Sequence, residues 1–227
     1  MSAARWTWEW LKSLTIAFVL FLLIRTFAVE AFRIPTASME RTLLVGDFLL
    51  VNKAVYGAQI PGTAMRLPAF GHPVHGDVMV FTPPHEPRKN YVKRLVGLPG
   101  DTLRMRDKVL FRNGQVVPEP YAQHGDPLDV FDPRMRWQLD YLVARSDRLD
   151  YRPTRDNWGP LVVPEGRYFV LGDNRDDSED SRYWGLVDEE TLKGKPIVVY
   201  YSFETTSLSQ IPWITDIRWD RIGGPIE

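Results

Sequence analysis

Cysteine is absent from the chain, so neither a disulfide framework nor a thiolate nucleophile is available, and cysteine usage gives no indication of compartment. Histidine is scarce. The four present, His72, His75, His85 and His124, show no metal-ligand spacing such as His-Glu-x-x-His and read as surface or loop residues, so no metal and no other cofactor is implied. Neither sign of charge is in excess: a net charge of −1 at pH 7 argues against nucleic acid as a partner. No internal repeat is visible, and helical periodicity nearly vanishes beyond Val29. What remains, 227 residues with 44% hydrophobic content, is enough for one sizeable core plus an anchor.

An uninterrupted uncharged run, apolar but for Thr15, occupies 14–24, bounded by Lys12 and Arg25 and preceded by Trp6, Trp8 and Trp10. At about 1.5 Å per residue this run covers about 17 Å of a hydrocarbon core about 30 Å thick. A spanning helix must therefore extend from near Trp10 to near Val29, with Lys12 and Arg25 snorkelling and the tryptophans at one interface. The alternative is a cleavable signal peptide ending near Thr26-Phe27-Ala28, against which Arg25 speaks. Flanking charges do not decide the orientation, because Arg5 and Lys12 on one side are matched by Arg25 and Arg33 on the other.

Beyond the anchor, 28–34 should be extended. Short β-branched or aromatic runs at 48–51, 77–81, 91–96, 109–111, 168–171 and 197–201, bounded by Gly, Pro and Asp, predict strands. Asn113-Gly114 is the strongest turn signal, since both residues accept the positive φ of a type I′ hairpin. From 102 to 157 the chain turns polar and irregular, with a short helix or strand near 137–143, and reads as an insertion. The expected fold is mainly β: an N-terminal transmembrane helix over 1–29, an antiparallel β-rich catalytic domain from 30–101 and 158–227, and an inserted small subdomain over 102–157.

Chemistry concentrates in three segments. Pro35-Thr36-Ala37-Ser38-Met39 offers a hydroxyl nucleophile, and Asn90-Tyr91-Val92-Lys93-Arg94 offers a base that is not histidine. A lysine serves as base only if desolvation lowers its pKa, and strand alternation would place Lys93 between Tyr91 and Leu95 on one face. Without that, Ser38 reads as an N-cap for 39–44 and Lys93 as a solvated edge residue. The third segment, 172–185, runs Gly-Asp-Asn-Arg-Asp-Asp-Ser-Glu-Asp-Ser-Arg-Tyr-Trp-Gly and is too rich in paired polar groups to be a plain loop.

In this order, 34–43, 91–101 and 172–185 resemble the sequence boxes of the type I signal peptidase family, peptidase family S26, with Gly46-Asp47-Phe48 and Gly76-Asp77-Val78 adding to the likeness. The resemblance covers most of 30–101 and 158–203. It implies Ser38 as nucleophile, Lys93 as general base, and Thr36 with the Ser38 backbone N–H as oxyanion donors. It implies that Ser178 hydrogen-bonds and aims the lysine amine, and that the pairs Asp173 with Arg175 and Asp180 with Arg182 hold the loop. Phe32, Ile34, Leu49, Val80 and Val92 would line an outer pocket for small side chains, and Ile34, Pro35, Met39, Leu43 and Tyr91 an inner one, although each of these apolar residues is equally consistent with core packing. Implied with these are preprotein signal peptides as substrate, a lipid bilayer and the secretion translocon as surroundings, and a single-pass protein of the bacterial inner membrane with its catalytic domain on the outer face.

Two positions depart from the family pattern. Arg41 stands where proline is usual, which should alter local rigidity while retaining the nucleophile, and Asp177 replaces a frequent asparagine, bringing a second charge towards the lysine. Trp213 and Trp219, with Phe203, suit either the membrane surface or the core. Competing readings are a relative that processes pilins or conjugation factors, a self-cleaving repressor peptidase, and a non-catalytic peptide-binding β-domain. No helix-turn-helix pattern precedes Ser38, which disfavours the repressor.

Overall fold

The computed structural model describes residues 3–63, 65–144 and 150–226. Part of the expected insertion, 145–149, therefore lies outside the described residues. Helix α1, Ala3–Leu23, continues through a π-helical turn, Ile24–Ala28, and every side chain described along it as far as Ile24 is exposed. Residues 5–28 form a helix long and apolar enough to cross a membrane, with a mean hydropathy of 1.9. The helix passes directly into β1, Val29–Arg33.

The remainder is mainly β and antiparallel. One sheet contains, in spatial order, β1, β2 (Asp47–Asn52), β11 (Leu192–Ser202), β3 (Val78–Phe81), β4 (Tyr91–Gly97), β9 (Arg167–Leu171) and β10 (Val187–Asp188). The other contains β7 (Gln115–Val116), β6 (Val109–Arg112), β5 (Thr102–Arg106) and β8 (Trp158–Val162). The second sheet thus draws its strands from both 102–116 and 158–162.

Strand β3 shows why the larger sheet is two-sided. All four of its residues are buried, as a continuous apolar run predicts, with Val78 and Val80 packing towards Ile34, Met39, Leu43 and Leu49, and Met79 and Phe81 towards Leu95, Val170 and Leu192. A third cluster joins the two sheets, setting Leu103, Met105, Leu110 and Trp158 against Val96, Phe169 and Leu171. Side chains of this size stabilise the fold by about 1.5–3 kcal/mol each when fully buried.

The Asn113-Gly114 turn is as expected, with φ of +53° and +81° between paired Arg112 and Gln115. The polar stretch after 101 is more regular than its composition suggests. Thr102–Arg106 is a strand whose Leu103 and Met105 point inwards while Thr102, Arg104 and Arg106 alternate outwards, and Pro133–Tyr141 forms a 3₁₀ helix around Trp137. Phe203 is buried, whereas Trp213 and Trp219 are exposed.

Candidate active site

The serine turn is built by the chain leaving β1. Thr36 is extended at φ −132° and ψ 157°, and a 3₁₀ turn, Ala37–Met39, follows, anchored by the buried Met39. Ser38 is therefore inside a turn rather than capping one, and its hydroxyl is free to face Lys93. Strand β4 pairs with β3 at Lys93, opposite the buried Met79, and Lys93 is only 4% exposed. Lys93 Nζ donates to Ser38 Oγ at 2.5 Å, and Thr36 Oγ1 lies 3.4 Å from the same oxygen. Burial is the main force on the lysine and pushes its pKa down to about 8, opposed first by the Asp180 carboxylate and reinforced by Arg182. Tyr91 shares the lysine face, its ring 5.6 Å from Nζ, while Val92 packs with the Ile34 cluster on the other face.

The third segment docks onto this turn through its backbone. Asn174 N–H donates to the Ser38 carbonyl at 3.1 Å and Asn174 Nδ2 to the Ala37 carbonyl at 3.3 Å. Gly172 permits the approach: a Cβ there would meet Ser178 Oγ at 2.2 Å and the Ser38 carbonyl oxygen at 2.5 Å. Asp180 caps the short helix α2, Ser181–Trp184, and grips Arg182 at 2.8 Å, both side chains being fully buried. Ser38, Lys93, Tyr91, Val92 and Ser178 open into one cleft of about 800 Å³, which reaches Lys89 and Arg33 as well as Arg134 and Glu179. A hydroxyl held against a buried, partly neutral amine is equipped for nucleophilic attack on a carbonyl.

Comparison with known proteins identifies the family. Residues 7–201 match the sequence profile of the family described as signal peptidase, peptidase S26. The chain belongs to this family. It is 39% identical over 221 residues to signal peptidase I of Pseudomonas aeruginosa, covering 90% of this chain and 76% of that one. Signal peptidase I of Bacillus licheniformis is 37% identical over 196 residues, covering 86% of this chain and 89% of that one. Among solved structures, a signal peptidase I from Enterococcus faecalis matches at 32% identity with a TM-score of 0.38, covering 56% of this chain and 98% of that one. As a member of the family, the protein is a serine endopeptidase.

Several signal peptidase residues stand elsewhere than expected. Asp173 does not pair with Arg175. It is held by Arg94 through two hydrogen bonds of 2.7 and 2.8 Å and by Thr42 at 2.6 Å, while Arg175 reaches Glu119 through two of 2.6 Å. Tyr121 lies between the two arginines, 3.9 Å from Arg94 and 5.9 Å from Arg175. Ser178 Oγ is buried and makes no hydrogen bond among the described residues, so its expected bond to Lys93 is not formed. Leu43, Leu49 and Val80 do not line the cleft but form the buried layer beneath it, leaving Phe32, Ile34, Pro35, Met39, Tyr91 and Val92 at its surface. Asp177 is exposed, and the carboxylates that act on Lys93 are Asp180, Asp173 and Glu179. Arg41 has φ of +83°, a conformation closed to proline, whose ring fixes φ near −65°.

Arg94, Glu119 and Arg134 escaped the sequence reading. Arg94 carried a signal, because an arginine in the middle of a buried strand demands a carboxylate. Glu119 and Arg134 carried none, being single charges in a polar stretch. Arg134 spans from that stretch to Glu179 at 2.6 Å and lies 4.8 Å over the Tyr183 ring.

Proposed function

We propose that the protein is a membrane-anchored signal peptidase that removes N-terminal signal peptides from exported preproteins, cutting after a small-x-small motif with a Ser38/Lys93 dyad. The observation that carries this reading is the 2.5 Å contact between Ser38 Oγ and a lysine whose pKa is pushed down to about 8. The neutral Lys93 amine accepts the Ser38 proton as Oγ attacks the scissile carbonyl. The tetrahedral oxyanion is met by the Ser38 N–H and the Thr36 hydroxyl. Lys93 then gives its proton to the leaving amine and, neutral again, activates the water that releases the acyl group.

Two backbone edges support binding of an extended peptide. β1 is an edge strand, and pairing of β4 with β9 begins only at Arg94, so Tyr91, Val92 and Lys93 have no partner in β9. Addition of a substrate strand here would set its alternate side chains towards Ile34, Met39, Tyr91 and Val92. The anchor is supported by the 24-residue apolar helix, which at about 1.5 Å per residue exceeds the roughly 30 Å hydrocarbon thickness. With the catalytic domain on the outer face of a bacterial inner membrane, near the secretion translocon, substrate and enzyme share the bilayer surface, which raises their effective concentration.

Detergent-solubilised protein incubated with a preprotein should release the mature chain, and a panel of variants tests the pockets. Alanine at the first and third positions before the cut should be accepted, and phenylalanine at the first should lower kcat/KM by about 100-fold or more. Equal cleavage of the two would exclude the pocket reading. The pH profile tests the base. The rate requires neutral Lys93, so kcat/KM should climb through a pKa of about 8. An ascending limb near the pKa of a solvated lysine, about 10.4, would exclude a desolvated base.

A further inference from the structure

A cavity of about 440 Å³ on the other side of Asn90 from the peptide cleft belongs to nothing described so far. Its charged lining consists of Lys53, Arg66, Arg88 and Lys193 against one carboxylate, Glu30, and the remaining lining residues are uncharged. Glu30 pairs with Lys53 at 3.2 Å, which leaves three cations unmatched within the lining. Arg66 is fixed in place by donating to the carbonyls of Gly57, Glu190 and Leu192 at 2.8, 2.5 and 2.5 Å. Glu189 and Glu190 reach it electrostatically but are not part of the lining. Lys193 is half-buried, and its ammonium is disfavoured first by burial and then by Arg66 and Lys53, while Arg88 makes no hydrogen bond or ion pair among the described residues. Like charges gathered in a concavity repel one another until an anion enters.

The location names the source of the anion. The apolar helix ends at Ala28, and Glu30 follows two residues later, about 7 Å along an extended chain. The Lys53 amide donates to the Ala28 carbonyl at 2.9 Å, so the cavity wall is bonded to the end of the span. Headgroup phosphates lie at that depth, just outside the hydrocarbon.

We propose that the cavity formed by Lys53, Arg66, Arg88 and Lys193 beside the end of the N-terminal helix binds the phosphate headgroup of an anionic phospholipid. The inference rests on the membrane-anchored reading above. Because Asn90 lines both the cavity and the peptide cleft, a bound headgroup fixes the height of the cleft above the bilayer, where an emerging preprotein presents its cleavage site.

Full-length protein in a neutral detergent, offered phosphatidylglycerol or phosphatidylcholine and examined by native mass spectrometry, tests the site. Wild type should retain phosphatidylglycerol in preference to phosphatidylcholine. Arg88→Gln and Lys193→Gln, both away from the dyad, should each weaken that retention about fivefold and the double variant more, with cleavage of a short soluble peptide unchanged. Equal retention by wild type and double variant overturns the site. Binding of inorganic phosphate as tight as that of phosphatidylglycerol overturns the lipid source and leaves a free-anion site. Failure of the anchor would show separately, as protein remaining in the soluble fraction when cells are broken without detergent, and failure of the peptidase reading as loss of cleavage by wild type.

Discussion

Ser38→Ala and Lys93→Met should each lower the rate of preprotein cleavage by on the order of 10⁴-fold or more, and the double variant should be little worse than either alone, because nucleophile and base act in the same step. The variants differ in what they do to the fold. Ser38 is half-buried in a short turn, so losing its hydroxyl should leave stability nearly unchanged. Lys93 is different. With its pKa pushed down from 10.5 to about 8, the folded state binds the lysine proton less readily than the unfolded chain. At pH 7 this disfavours folding by roughly 3 kcal/mol, and the penalty diminishes as pH rises from about 8 towards 10.4. Lys93→Met should therefore be inactive and yet more resistant to urea than wild type at pH 7, with the difference shrinking at pH 10. That combination separates loss of the base from loss of the fold. Near wild-type turnover by either single variant would exclude the dyad.

Such a lysine was legible in the sequence because its surroundings are local. Alternation along 91–96 puts Tyr91, Lys93 and Leu95 on one face, and the fold keeps them there. The Asn113-Gly114 turn was legible for the same reason, since two adjacent residues carry its whole signal. Its neighbour was not. Asp107 and Lys108 also take positive φ, +48° and +68°, between paired Arg106 and Val109, but lysine is no turn former, and the tertiary context imposes the conformation. Depth is a further limit. Periodicity tells which face of a strand is apolar, and it cannot tell whether Leu49 or Val80 touches substrate or supports the residue that does.

Ion pairs divide along the same line. Asp180 with Arg182 is an N-cap contact two residues apart, and its reading from sequence matches the structure. Asp173 and Arg175 have the same spacing, but Asp173 stands one residue before the N-cap of the 3₁₀ turn Arg175–Asp177, and each turns to a partner far along the chain, Arg94 and Glu119. These long connections tie the 172–185 loop to β4 and to the segment after β7. The basic cavity is the extreme case, because its residues come from five separated stretches and none of its charged residues belongs to a motif.

The Asp180 carboxylate is where stability and catalysis meet, and Asp180→Asn should disturb both. Burial alone would raise its pKa, but the Arg182 charge and hydrogen bonds hold it below the usual carboxylate range, so it is ionised whenever the enzyme works. The substitution keeps the size of the side chain and can retain a cap on the Arg182 amide. It removes the charge that balances a fully buried guanidinium and turns an amide NH₂ towards a donor. Breaking a buried pair from one side typically costs about 3–5 kcal/mol, and a urea titration of the variant should show a loss of that size. The second effect falls on Lys93. Asp180 is the leading charge that favours its ammonium, while Arg182 opposes it, so neutralising Asp180 leaves burial and Arg182 acting together and the lysine pKa falls further. The ascending limb of kcat/KM should then move to lower pH than in wild type, measured at a temperature where the variant remains folded. A limb that stays in place while stability falls would mean that the 172–185 loop supports the site mechanically and does not set its proton affinity. A limb that moves with stability intact would mean that Arg182 finds another counter-charge. Movement of both is the outcome the geometry requires, since one carboxylate neutralises the arginine and also sustains the charge on the base.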